Sequence, residues 1–176
     1  SFAGDMEAAH ERGCDFLRSL VSVKKVDCDV AVVTNGGFPL DQNLYQTTKA
    51  MSTADAALPE GGVIILVAGC RDGHGGQDFY DNVAKAADPA EFLEKAIHTP
   101  YTDTAPEQWT SQILARTLVR HPLIFVSDLV DPALISGLHM QLATTLDEAL
   151  EMAFAIKGRD AKVAVIPNGP GVVIEG

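Results

Sequence analysis

Four short apolar runs, separated by helical stretches, constrain this chain more than any other feature. They are Cys28 to Thr34, Val63 to Ala68, Leu123 to Ser127 and Lys162 to Ile166. The core of the first, Val30-Ala31-Val32-Val33, is rich in β-branched residues and apolar on both faces. A run of this length and composition predicts a buried parallel strand. Strands that alternate with helical patterns imply a parallel sheet with helices on both faces, joined by right-handed crossovers. The expected fold class is therefore a three-layer α/β domain spanning residues 1–176, with no repeat, low-complexity segment or internal linker. A chain of 176 residues is long enough to bury a sizeable core.

The connections carry most of the helix signals. Thr34-Asn35-Gly36-Gly37 can turn sharply after the first strand, and Pro39 blocks a direct continuation. Asp41 is the expected cap of a helix starting near Gln42 and stopping at the breaker cluster Leu58-Pro59-Glu60-Gly61-Gly62. At helical spacing Leu44, Thr47, Met51, Ala54 and Leu58 face the sheet, while Gln42, Tyr45, Gln46 and Lys49 face away. A first helix is expected from Gly4 or Asp5 to Val21, with a stripe of Phe16, Leu17, Leu20 and Val21. Further helices are expected over Gln77–Ala87, from Asp88 to about Ile97, from a capping box at Thr104-Ala105-Pro106-Glu107, from Asp131 to Ser136, and from Thr145 to Lys157. Residues 98–103 form a polar connector, and the Pro- and Gly-rich tail from Pro167 closes the domain.

Charge and cysteine usage narrow the function. The formal net charge is −11, and no basic stripe occurs, which disfavours nucleic acid and anionic membranes as partners. Cys14, Cys28 and Cys70 are an odd set with no CxxC, which fits a reducing cytosol better than a disulfide framework or a zinc ribbon. No apolar run approaches a membrane span. The polar, helical opening SFAGDMEAAHERGC shows no signal peptide, so a cytoplasmic location is expected. A start at Ser1 suits a processed chain or a piece of a longer one.

Chemistry should gather where the carboxyl ends of the strands meet, because ligands of open α/β sheets bind there. Tyr45, Gln46 and Lys49 are neighbours on one helix face just past the first strand. An ammonium and an oriented amide N–H suit a small carboxylate, although a solvated helix face has the same pattern. The second crossover, Gly69 to Asp81, holds Arg71, Asp72 and His74 among its glycines. Asp72 with His74 could act as an acid–base pair, and Gly73, Gly75 and Gly76 could offer N–H groups to an anion; the alternative is a braced tight turn. The segment matches neither GxGxxG nor GxxxxGK[ST]. His10, His98, His121 and His139 are scattered, none at a metal-site spacing, and are read as structural. Trp109 could wall a small pocket, but core packing is the favoured place for it.

The string Asn35-Gly36-Gly37-Phe38-Pro39-Leu40-Asp41-Gln42-Asn43-Leu44-Tyr45-Gln46, followed by Lys49, closely resembles the nickel-pincer lactate racemase family. The segments Gly69–Gly76 and Phe2–Asp5 are similar to the same part of that family, its C-terminal domain. The resemblance implies a cleft between two domains and hydride transfer at C2 of a 2-hydroxy acid. It places the nickel pincer nucleotide, its lysine and the catalytic histidines largely in an N-terminal domain with no counterpart here. Carried over by position, Gln46 and Lys49 would bind the substrate carboxylate, with Tyr45 beside them and Trp109 as a wall. Asn35, Gly36, Gly37, Arg71, Asp72 and His74 would lie at a domain interface or anion loop. No catalytic residue, metal ligand or bound cofactor is then expected in this chain, which should be half an active site and inactive alone. Its expected partners are its own N-terminal domain and a small 2-hydroxy acid; self-association into a homo-oligomer is compatible with the sequence. A stand-alone carboxylate-binding module is the alternative, and a hydrolase or lyase using Asp72 and His74 a weaker one.

Overall fold

The computed structural model describes all residues, Ser1–Gly176. In chain order the elements are α1 (Met6–Val21), β1 (Ser22–Lys24), β2 (Val30–Thr34), α2 (Leu44–Ala57), β3 (Val63–Val67), α3 (Gln77–Ala84), α4 (Pro89–His98), α5 (Gln108–Arg120), β4 (Leu123–Val126), α6 (Pro132–Gly137), β5 (Gln141–Ala143), α7 (Leu146–Lys157), β6 (Val163–Ile166) and β7 (Val173–Glu175), with 3₁₀ turns at Tyr101–Asp103 and Gly169–Gly171. The main sheet has the order β5-β4-β3-β2-β6, with every pair parallel. The four expected strands are its four longest. The short β5, and the separate parallel pair β1–β7, carry too few residues to stand out as apolar runs.

Alternation along the strands divides the core in two. Ala31, Val33, Ile64, Leu66, Leu123 and Phe125 point into the larger cluster, beneath α2 to α6. Val30, Val32, Val63, Ile65, Ile124 and Val126 point the other way, onto Ala149 and Ala153 of α7. This is the expected three-layer arrangement, with a thin second layer. Because α7 covers β3, β4 and β5, Val165 on the edge strand β6 stays 65% exposed.

The best-supported caps follow the sequence. Asp88 accepts from Glu91 N–H while Glu91 accepts from Ala87 N–H, and Thr145 accepts from Glu148 N–H while Glu148 accepts from Thr144 N–H. Two expectations are corrected. Asp41 does not cap α2; Asn43 does, accepting from Gln46 N–H at 3.1 Å. Asp41 instead accepts from Gly69 N–H at 2.9 Å and ties the first crossover to the second. Nor does Thr104 open α5: the helix begins at Gln108, after Glu107 in a left-handed conformation at φ 57°.

Helix α1 departs most from expectation. Its stripe forms but meets only the ring of Phe2, which lies 5.7 Å from that of Phe16; none of its residues is buried, and Phe16, Leu17 and Leu20 are all more than half exposed. It meets the body at its C-terminal end, where Arg18 lies 3.8 Å from Glu175 and the Ser22 hydroxyl donates to the same carboxylate. No helix is long and apolar enough to cross a membrane.

Candidate functional site

The carboxyl edge of the sheet is built from the segment after β2, the segment after β3 and the start of α5. Asn35, fully buried, donates to Leu40 O and accepts from Ala50 N–H, so its amide braces the first turn against α2 and is closed to ligand. Gly36 and Gly37 adopt φ of 81° and 74°, the left-handed region that glycine enters without steric cost. Beyond them Phe38 is exposed, and the Arg71 guanidinium lies 5.3 Å from its ring centroid, a cation–π arrangement.

The first turn of α2 then places three side chains at the rim. Lys49 Nζ donates to Gln46 Oε1 at 2.6 Å, which leaves the amide N–H₂ of Gln46 as the end free for a ligand. Tyr45 packs edge-on against two rings, Phe79 at 5.4 Å and Trp109 at 6.2 Å between centroids. Trp109 itself is 62% exposed, against the core position expected for it, because the neighbouring buried positions of α5 are taken by Gln108, Thr110 and Ser111. Tyr45 therefore meets Trp109, and Gln46 meets Lys49, as two pairs that share the start of α2.

Lys49 and Arg71, like six other lysines and arginines, take part in none of the chain's ion pairs; Lys49 differs in its bond to Gln46 at the carboxyl edge of the sheet. An uncompensated ammonium beside an amide N–H on a strongly acidic protein is a binding arrangement for a small anion.

The loop after β3 is organised differently from the anion nest or acid–base pair that its composition allows. Gly73 N–H donates to Cys70 O and Gly76 N–H to His74 Nδ1, so both are used inside the loop. His74 stacks on Tyr80, and Asp72, exposed, makes no hydrogen bond to it. The loop carbonyls face α2: Gly73 O accepts from Leu44 N–H at 3.0 Å and His74 O from Tyr45 N–H at 3.1 Å. Two residues that shape the rim went unseen in the sequence. Asn43 could have been found as an N-cap three residues before Gln46. Glu107, whose carboxylate accepts from Phe79 N–H at 2.9 Å, left no local signal because its partner lies 28 residues away.

The remaining groups give no second centre. Burial pushes the Cys70 thiol up to about 12, helped by the nearby Asp41 carboxylate, and burial likewise raises the Cys28 thiol. Neither is an activated nucleophile. No three His, Cys, Asp or Glu side chains are grouped as a metal ion requires, so this chain's residues do not fit a nickel site of their own. A cleft of about 380 Å³ between α3, α4 and α5 holds none of Tyr45, Gln46, Lys49 or Trp109.

Comparison with known proteins gives the family. Residues 23–174 match the lactate racemase C-terminal domain family. The chain belongs to that family. It is 62% identical over 175 residues to a lactate racemase of Lactiplantibacillus plantarum, and 41% identical over 174 residues to one of Thermoanaerobacterium thermosaccharolyticum. In each case the match covers 99% of this chain but 41% of the relative, so the chain spans under half the length of these proteins. The solved structure of the apoprotein from the second organism superposes with a TM-score of 0.93 at 40% identity, over 97% of this chain and 41% of that one. The family match starts after α1, whereas the relatives match across it.

Proposed function

We propose that this chain is the substrate-facing C-terminal half of a nickel-dependent 2-hydroxy-acid racemase, and that its role is to hold the substrate carboxylate. The observation that carries this reading is the Lys49–Gln46 pair, ammonium bonded to amide oxygen at 2.6 Å at the carboxyl edge of the sheet. Lys49 supplies the charge, and Gln46, its oxygen engaged by Lys49, presents N–H to the second carboxylate oxygen. Tyr45 and Trp109 form an aromatic corner that confines the short carbon chain. The relatives' name, lactate racemase, supports lactate or a similar acid as the substrate.

The hydride transfer at C2 is assigned to a nickel pincer nucleotide on an N-terminal domain, and no step of it falls to the residues described here. The unpacked face of α1 and the exposed Phe38 and Leu40 give that domain apolar surface to meet. The 176-residue chain alone is then a binding surface without turnover.

The test replaces Lys49 by Ala in the two-domain enzyme. Removing a charged hydrogen-bond partner of a carboxylate costs about 2–3 kcal/mol, a loss of roughly 30- to 150-fold in kcat/KM. An unchanged kcat/KM would remove Lys49 from the site, and racemisation by the purified 176-residue chain would overturn the division of labour.

A further inference from the structure

We infer that Gly75 and Gly76, with the Asn43 and Glu107 side chains that occupy the space beside them, are the positioning device that sets Tyr45 against Trp109; this rests on the carboxylate-site reading above. The two aromatic residues stand on different helices, α2 and α5, which pack on each other directly. The loop between β3 and α3 adds a second tie at the helix starts, where the two rings meet.

At Gly75, where φ is 79°, an added Cβ would overlap the carboxamide of Asn43. That carboxamide sits there because it caps α2, accepting from Gln46 N–H. At the next residue a Cβ on Gly76 would overlap the carboxylate of Glu107. That carboxylate accepts from Phe79 N–H at 2.9 Å, satisfying an otherwise orphan donor in the first turn of α3. Two adjacent glycines thus admit two capping side chains, one from each helix that carries the corner.

The contacts close a ring. Glu107 holds the backbone of Phe79, whose ring meets Tyr45 edge-on. Tyr45 N–H is held by His74 O in the same loop, and its ring meets Trp109, two residues beyond Glu107. Glu107 keeps a left-handed backbone that a residue with a Cβ rarely adopts, which the bond from Phe79 helps to hold. Glu107 and Asn43 act through Tyr45, Gln46 and Trp109; they are positioning residues and touch no substrate.

The chain's single Trp makes the corner visible in the 176-residue chain itself. Glu107→Ala should abolish at least half of the near-ultraviolet circular dichroism of the Tyr45–Trp109 pair while far-ultraviolet signal is kept. Glu107→Gln, whose side-chain oxygen still accepts from Phe79, should restore it. Glu107→Asp, one methylene too short, should behave as Glu107→Ala and serves if that variant does not fold. Titration with lactate, read by Trp109 fluorescence, should give a dissociation constant at least tenfold weaker for Glu107→Ala and Glu107→Asp, with Glu107→Gln near wild type. A wild-type near-ultraviolet spectrum in both the Ala and Asp variants overturns the inference. A wild-type chain that ignores lactate, or a Lys49→Ala chain that responds undiminished, counts against the carboxylate reading instead, and the spectra then decide the positioning role alone.

Discussion

Replacing His121 by Ala should unfold this domain far more readily than its sequence context suggests. The imidazole is fully buried at the edge opposite the candidate site. Its Nδ1 lies 3.0 Å from Gly62 O and its Nε2 2.9 Å from Asp55 Oδ1, and Asp55 also binds Arg120 at 2.7 Å. The ring thereby ties the start of β3, the end of α2 and the segment entering β4. A bond to a carboxylate contributes about 1.5–3 kcal/mol and one to a carbonyl about 1 kcal/mol, so the loss is about 2.5–4 kcal/mol before any cavity is counted. With a urea slope of about 2 kcal/mol per molar, the midpoint should fall by about 1.2–2 M. The assay is urea unfolding followed by far-ultraviolet circular dichroism, with exposed His98→Ala as a control expected within about 0.5 kcal/mol of wild type. A His121→Ala loss below about 1 kcal/mol would refute the claim that this network holds the lower edge of the sheet together.

Other outcomes follow from the same structure. Brief iodoacetamide treatment of the native chain at pH 8, read by mass spectrometry, should modify the half-buried Cys14 but neither Cys28 nor Cys70, whose burial keeps them as thiols; native labelling of Cys70 would contradict its environment. Hydrogen bonds from Thr144 hold Glu148 below its ordinary value of 4.5, so its contribution to stability is complete above that pH and disappears as pH falls through the lower folded-state value. Wild type should therefore exceed Glu148→Gln in urea midpoint at pH 7, and the gap should narrow as pH falls below 4.5. Because no residue of α1 is buried, Leu17→Ser with Leu20→Ser should shift the unfolding free energy of the 176-residue chain by less than about 0.5 kcal/mol, whereas destabilisation in the two-domain protein would mark α1 as an interface.

Much of the architecture was written in local pattern. The runs at Val30, Val63 and Leu123 are apolar on both faces, and only a covered parallel sheet buries both; the run at Val163 forms an edge strand with one face left exposed. Asp88-Pro89 and Thr145-Leu146-Asp147-Glu148 announce their helices because a cap and its donors lie within four residues. The neighbourhood of Tyr45, Gln46 and Lys49 follows from helical spacing alone. What local pattern could not supply is everything decided by partners distant in sequence. Asp41 reads as a helix cap, yet its oxygen is claimed by Gly69, 28 residues on. Glu107 reads as part of a capping box, yet it closes the first turn of a different helix. Trp109 reads as core, yet smaller polar residues fill the buried face of its helix and leave the indole at the rim. The α1 stripe reads as packed, yet Phe16, Leu17 and Leu20 all stay more than half exposed. By itself the sequence determined which segments are strands and helices and which helix face carries the ammonium, since those depend on propensity and period. Only the tertiary structure decided how the rim is assembled, because that depends on which backbone donors are left unsatisfied when the layers close, and on which side chains are near enough to accept them.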